Sequence, residues 1–377
     1  MVTKIIIRLA ACALLLIALS GNGYTQIVYN TPPTVSIKTV YNNWHLDRGD
    51  QKSTLSQVTI PMTLFMPLQD NSEMVVFVSG SANDLQMNDG DYNMTGAGDL
   101  RLQFNHSMSN DRAVIGLGIN LPTGKHKLDF DADTMLINTL SQTYLTLPMR
   151  RFGEGLGLNF LLGGATMMGK LRVGAGISYE YVGSYTAYES QEEFDPGDRT
   201  TITVGFERAG KTLVKADLLM TFYTDDKYDH HAVFRTGDQA ALSLYASRRF
   251  NSGQLGFNIR YLARTPSAMY SFDAGDLIQQ LDYQGNELSI GSSFGYAFSK
   301  KWSVTPLVGY RWIAADGLTG PKHLEQSKIG HIGANLDHKI GKKLRLSLES
   351  RYYSGNADDG AIDLSGLQIS TGLTASF

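Results

Sequence analysis

Cysteine is all but missing from this chain. The single copy, Cys12, excludes a disulfide framework and any cysteine-based zinc site. Charge is sparse too: 18% of the 377 residues are charged and 42% are hydrophobic, with 16 Phe and 19 Tyr beside only 10 Pro. Intrinsic disorder needs much charge and few aromatics, so it is excluded, as are collagen-like repeats. The net charge is −3 and no basic stripe occurs, so no nucleic-acid partner is expected. After the first twenty residues no apolar run approaches the ~20 needed for a spanning helix, which excludes a polytopic helical membrane protein.

Lys4 and Arg8 precede a nearly unbroken apolar stretch, Leu9 to Leu19, and Gly21-Asn22-Gly23 follows. Basic, apolar and small-polar parts in that order predict a secretory signal peptide over 1–20, with an apolar part of about 11 residues, too short to span. Ala18-Leu19-Ser20 supplies a small-x-small cleavage site after Ser20; cleavage after Thr25 is the later option. Leu9-Ala10-Ala11-Cys12 imitates a lipoprotein box, but the main apolar stretch follows that cysteine instead of preceding it. Cleavage removes the cysteine, so the mature chain must be held by backbone pairing and packing.

What the chain has in abundance is alternation. From 171 to 185, Leu171, Val173, Ala175, Ile177, Tyr179, Tyr181 and Tyr185 occupy odd positions, while Arg172, Ser178, Glu180 and Ser184 occupy even ones. Strand side chains alternate between faces, so this segment is a strand with one apolar face. The pattern returns at 212–223, 254–265 and 343–354. Sixteen segments follow: 34–45, 54–66, 73–83, 97–108, 112–121, 154–167, 171–185, 198–208, 212–223, 237–248, 253–265, 286–298, 302–313, 327–339, 343–354 and 365–377. Without a short segment such as 73–83, the next lower even count is fourteen.

A soluble sandwich and a membrane barrel both alternate, and three features favour the barrel. The segments run about 10–14 residues, above the 5–6 of soluble sheets and near the 9–11 that cross a bilayer at a tilt. Tight turns such as Met168-Gly169-Lys170 and Ala209-Gly210-Lys211 alternate with loops of about 8 to 32 residues, the layout of periplasmic turns and extracellular loops. Trp44, Tyr181, Tyr185, Phe298, Trp302, Tyr310 and Trp312 stand near strand ends, as interfacial girdles do. The expected architecture is a short periplasmic segment, 21–33, and one all-β transmembrane antiparallel barrel, 34–377, of about 14–16 strands.

Two resemblances sharpen this. The terminal strand carries Leu367, Ile369, Leu373 and the last residue, Phe377, on one face. It resembles the signal read by the bacterial outer-membrane assembly machinery, which implies export to the outer membrane of a Gram-negative bacterium, with lipid and that machinery as partners. Residues Gly96-Ala97-Gly98-Asp99-Leu100 and Leu121-Pro122-Thr123-Gly124 form a G-x-G-D-L … L-P-T-G pattern. This pattern resembles outer-membrane transporters grouped with the meta-pathway of phenol degradation, which are similar to the fatty-acid-transporter barrels. The resemblance implies a porin-like channel or transporter for uptake of small compounds, apolar or aromatic. Gly21–Pro33 is shorter than the fatty-acid transporters' N-terminal hatch and lacks its Asn-Pro-Ala motif.

The polar face supplies candidate lumen-lining residues: Arg172, Glu180, Lys215, Asp217, Tyr245, Arg260, Arg264, Arg311, Arg345, Glu349 and Arg351. Opposite charges on neighbouring strands also stabilise a wall through which nothing passes. Loop 122–153 is the longest, and its Met135, Leu136, Leu140, Tyr144 and Leu147 recur at helical spacing over 134–147. Folding into the lumen would cover that apolar face and make Leu136, Leu140 and Tyr144 a constriction; packing against other loops would cover it equally well. Phe272 to Tyr283, with Leu277, Ile278 and Leu281, is a second candidate.

No enzyme, cofactor or metal is expected. Ser327, His331 and Asn335 lie four residues apart along one strand, about 14 Å from each to the next, too far for a catalytic group. His230-His231 with Asp225, Asp226 and Asp229 reads more simply as a solvated loop than a metal cluster. Asp129-x-Asp131-x-Asp133 lacks the Gly and final Glu of an EF-hand. The alternative to a channel is a structural or surface-interaction barrel with a blocked lumen.

Overall fold

In the computed structural model the described residues are 32–69, 71–108, 112–125, 128–186, 193–272, 277–281, 285–315 and 326–377. The expected signal peptide, and all but the end of the expected 21–33 segment, lie outside them.

The barrel wall is built from β1 (Thr34–Arg48), β2 (Gln51–Gln69), β3 (Ser72–Met87), β4 (Gly90–Ala97), β5 (Leu100–Met108), β6 (Ala113–Leu121), β7 (Gly157–Met168) and β8 (Leu171–Val182). It continues through β10 (Arg199–Arg208), β11 (Thr212–Tyr223), β14 (Gln239–Arg249), β15 (Gly253–Arg264), β18 (Glu287–Ala297), β19 (Trp302–Ile313), β20 (Ser327–Ile340), β21 (Leu344–Ala357) and β22 (Ile362–Ser376). Apart from β4 and β5, each wall strand pairs antiparallel with the next, and β22 closes on β1 from Thr34↔Ser376 to Asp47↔Asp363. Strands β4 and β5 share one place in the wall: β3 pairs with β4 over Gly80–Met87 and with β5 over Ser72–Phe77. The result is a closed 16-stranded antiparallel transmembrane barrel. Closure leaves no open edge, which is what lets a strand-built wall survive in lipid.

The sequence alternation becomes the two faces of this wall. Leu158, Phe160 and Leu162 of β7, Ile177, Tyr179 and Tyr181 of β8, and Leu367, Ile369 and Leu373 of β22 are exposed, forming an outward apolar band. Tyr310, Phe298 and Trp302 are exposed as well. Trp44 is not. It is 1% exposed, with its ring 5.1 Å from Tyr353, so the expectation that it belongs to an interfacial girdle is corrected. Parity explains this: Tyr41 faces out on β1, and three positions on, Trp44 faces in.

The strict alternation of long and short connections is also corrected. Strands β1 and β2 run until only Gly49-Asp50 separates them, and β3 and β4 meet at Asn88-Asp89. At 15, 19 and 16 residues, β1, β2 and β3 outrun the membrane's need. Pairing persists beyond the apolar zone because polar partners suffice there, as in the Asp47–Lys52 ion pair at 3.1 Å.

Loops at the opposite end from Thr34 and Ser376 form a second, five-stranded sheet: β9 (Phe194–Asp195), β12 (Asp226–Tyr228), β13 (His231–Arg235), β16 (Ser267–Tyr270) and β17 (Leu277–Leu281). Part of the second constriction candidate is therefore strand β17, with Leu277 and Ile278 exposed on a sheet of loops. Among the described residues no helix is long and apolar enough to cross a membrane.

Candidate functional site: the inward loop and the lumen

The wall is interrupted between β4 and β5, at Gly98-Asp99, within the G-x-G-D-L pattern. Asp99 is buried, and its carboxylate accepts three N–H groups: Gly124 at 2.9 Å, Asn120 Nδ2 at 2.9 Å and Glu154 at 2.8 Å. Gly124 begins the long loop and Glu154 ends it, so one carboxylate ties both ends to the wall. Thr123 Oγ1 accepts the Leu100 N–H at 2.9 Å, and the Lys125 N–H reaches Ala97 O at 3.1 Å. Two glycines permit the close approach. A Cβ on Gly124 would lie 2.7 Å from Phe152 O, and one on Gly96 would lie 2.7 Å from the Phe152 ring. The L-P-T-G half is thus more than a strand-ending turn.

From this clamp the loop runs inward. Helix α1 (Phe130–Leu140) begins where Asp133 accepts the Asp129 N–H at 3.0 Å and Lys125 Nζ at 2.9 Å. The helix stops at Leu140, short of the expected 134–147, and irregular chain continues to Phe152. Leu136, Leu140 and Tyr144 are buried in an apolar cluster with Trp44, Leu55, Leu85, Met94 and Tyr353 of the inner wall. Deeper in, Gln57 Nε2 donates to Met149 O at 2.6 Å, and the Met149 N–H donates back to Gln57 Oε1 at 3.3 Å. Burial pushes the Tyr144 hydroxyl up to about 12, against the nearby Arg48.

The eleven lumen candidates share the face opposite the apolar band, mostly as ion pairs. Glu207 takes Lys215 at 2.8 Å and Arg172 at 3.6 Å from its two neighbouring strands. Arg199 meets Glu180 at 2.8 Å, Arg311 meets Glu287 at 2.8 Å, and Arg345 meets Asp337 at 2.8 Å. Glu349 holds Arg351 at 2.5 Å and Lys38 at 3.1 Å. Arg264 donates to the Gly285 carbonyl. Asp217, Ser243 and Arg260 follow one another in register across β11, β14 and β15, with Tyr245 one inward position along from Ser243. Glu207, Glu287 and Gln57 obey the same alternation and could have been read from it. Arg150 could not: it sits in the loop, and only the fold brings it within electrostatic reach of Arg311 and Glu287.

Beside the loop, Thr146, Leu147 and Pro148 face Arg311, His331, Arg351 and Tyr353 across a cavity of about 580 Å³. The His331 ring lies 5.3 Å from that of Tyr353. Gly291-Ser292-Ser293-Phe294-Gly295 spells G-x-S-x-G, but it lies inside β18, an extended ladder without the strand-to-helix elbow that exposes a nucleophile.

In the loop sheet, Asp225 accepts from Tyr270 Oη at 3.2 Å and Asp226 from the Gly197 N–H at 2.6 Å. Burial raises the Asp226 carboxyl, and the Gly197 bond opposes the shift. Among the described residues no group of three metal-ligating side chains converges.

A closed barrel with a lumenal loop defines the class. No family model matches the chain, and no curated protein matches it. Among solved structures it is similar to a Pseudomonas aeruginosa FadL homologue, at 9% identity and a TM-score of 0.46, covering 95% of this chain and 93% of that one. It is similar to Pseudomonas aeruginosa OccK1, at 8% identity and 0.46, covering 93% and 100%. It is also similar to the CymD monoaromatic hydrocarbon channel, at 12% identity and 0.40, covering 92% and 89%. These are likenesses of fold alone.

Proposed function

We propose that this chain is an outer-membrane channel for uptake of small compounds, apolar or aromatic bodies among them, in which loop 122–153 constricts the lumen. The observation that carries the reading is the asymmetry of the interior. One arc, β1–β4 with β19–β22, is covered by the loop, whose two ends Asp99 ties down. The facing arc stays wet: Arg172 and Lys215 keep side chains 61% and 43% exposed. A 16-stranded wall is wide enough for an aqueous path when it is only partly filled. The bonds around the inner wall hold charges that act on a passing solute without catalysing a reaction.

Deleting 131–146 removes the filling and leaves the strands. Single-channel conductance in planar bilayers should rise severalfold, with heat-modifiable migration in SDS gels retained. Wild-type conductance in a well-folded deletion would favour the blocked, surface-interaction barrel.

A further inference from the structure

The cavity beside the loop has a polarity that neither face pattern nor loop length foretells. Its apolar side is Leu147, Pro148, Ile329 and Tyr353; its cationic side is Arg311 and Arg351. Two carboxylates stand near it, and each is outnumbered. Glu287 pairs with Arg311 and lies within electrostatic reach of Arg264 and of the loop's Arg150. Glu349 pairs with both Arg351 and Lys38. Five cations therefore close on two carboxylates, in a space where the low local dielectric strengthens what remains unbalanced. Elsewhere in this barrel Arg199–Glu180 and Arg345–Asp337 are matched one to one, and Glu207 takes two cations, but neither that carboxylate nor its partners line a cavity beside the loop.

We propose that this cavity is a binding site for a small organic monoanion with an apolar body, of the class of an aromatic carboxylate. The body lies against Leu147, Ile329 and Tyr353, and the carboxylate takes charge-assisted hydrogen bonds from Arg311 and Arg351. A benzoate-sized molecule fits within 580 Å³ with room for water. Arg150 adds field from the loop side. The proposal deepens the channel reading by naming the class of solute, and rests on it for how the solute arrives.

Equilibrium binding to the folded, detergent-solubilised barrel tests the site without requiring transport. Benzoate should bind saturably and about tenfold or more tighter than neutral benzyl alcohol, the worth of one charge-assisted pair. Acetate, which lacks the body, should bind more weakly than benzoate. Arg351→Gln leaves Glu349 with Lys38, and Arg150→Gln leaves Glu287 with Arg311, so neither strands a carboxylate. Each should shrink the benzoate preference severalfold while heat-modifiable migration is kept. Equal binding of benzoate and benzyl alcohol, no saturable benzoate binding, or a preference untouched in both variants overturns the proposal. Failure of the channel reading looks different: benzoate binds, but the barrel passes no current in bilayers, with or without residues 131–146.

Discussion

The side-chain amide of Gln57 and the backbone of Met149 form a reciprocal pair, Nε2 to O at 2.6 Å and N to Oε1 at 3.3 Å. A wall side chain thus gives the loop what a neighbouring strand would give: a donor and an acceptor side by side. Gln57 is fully buried, and its Nε2 also reaches Asn83 Oδ1 at 2.7 Å. The loop is seated on the wall by directional bonds as well as by apolar cover.

Replacing Gln57 by Leu should leave the Met149 N–H and carbonyl without these partners, a cost of about 1–3 kcal/mol for each buried group. The loop should leave its seat more often. Trypsin acting on the assembled barrel should then nick after Arg150 or Arg151 faster than in the wild type. Unchanged nicking would mean that the apolar cluster alone holds the loop.

Asp99 acts at the loop's roots. Asp99→Ala removes the acceptor of three N–H groups, and Asp99→Asn keeps the volume but loses the charge that strengthens such bonds. Both variants should assemble, because the ladders on either side of the interruption are intact. Both should show noisier and larger conductance than wild type, Ala more than Asn. Quiet, wild-type traces from Asp99→Ala would remove the clamp.

The buried Tyr144 makes the loop sensitive to alkali. Its hydroxyl ionises near 10 when solvated and near 12 when seated. Below pH 10 both states are neutral and nothing is lost. Between pH 10 and 12 the undocked form ionises while the docked form does not, so the seat weakens as pH rises, by about 3 kcal/mol at the upper end. Loop nicking or conductance should climb across that window in the wild type and stay nearer flat in Tyr144→Phe. A parallel climb in both would assign the effect to other groups.

At the seam, the Phe377 N–H donates to Pro33 O at 3.0 Å, next to the closing pair Thr34↔Ser376. Deleting Phe377, or replacing it by Asp, should lower the amount of assembled barrel in the outer membrane. Copies that do fold should conduct as before. Wild-type levels of assembled protein would show that the terminal aromatic is dispensable.

The wall itself was legible in the residue order. Odd and even positions such as Leu171 and Arg172 must point to opposite faces, so period two marks strands, and the outward band follows without knowledge of the partner strands. The lumen candidates followed for the same reason, as did an inward course for loop 122–153 as one of two ways to cover Leu136, Leu140 and Tyr144. The second candidate, Phe272–Tyr283, looked similar but became in part an exposed strand among loops, since short apolar runs do not distinguish helix from strand.

What the order of residues could not settle is everything that depends on which arcs of a closed wall face one another. Trp44 lies far from Leu136 in the chain, and only closure brings both into one cluster. The meaning of Asp99 was hidden because its partners Gly124 and Glu154 are 25 and 55 positions away. Arg150 joins Arg311 and Glu287 only once the loop is seated. Alternation is a local property of one strand; contacts across a lumen are set by register, closure and the path of a loop, which long-range packing alone decides.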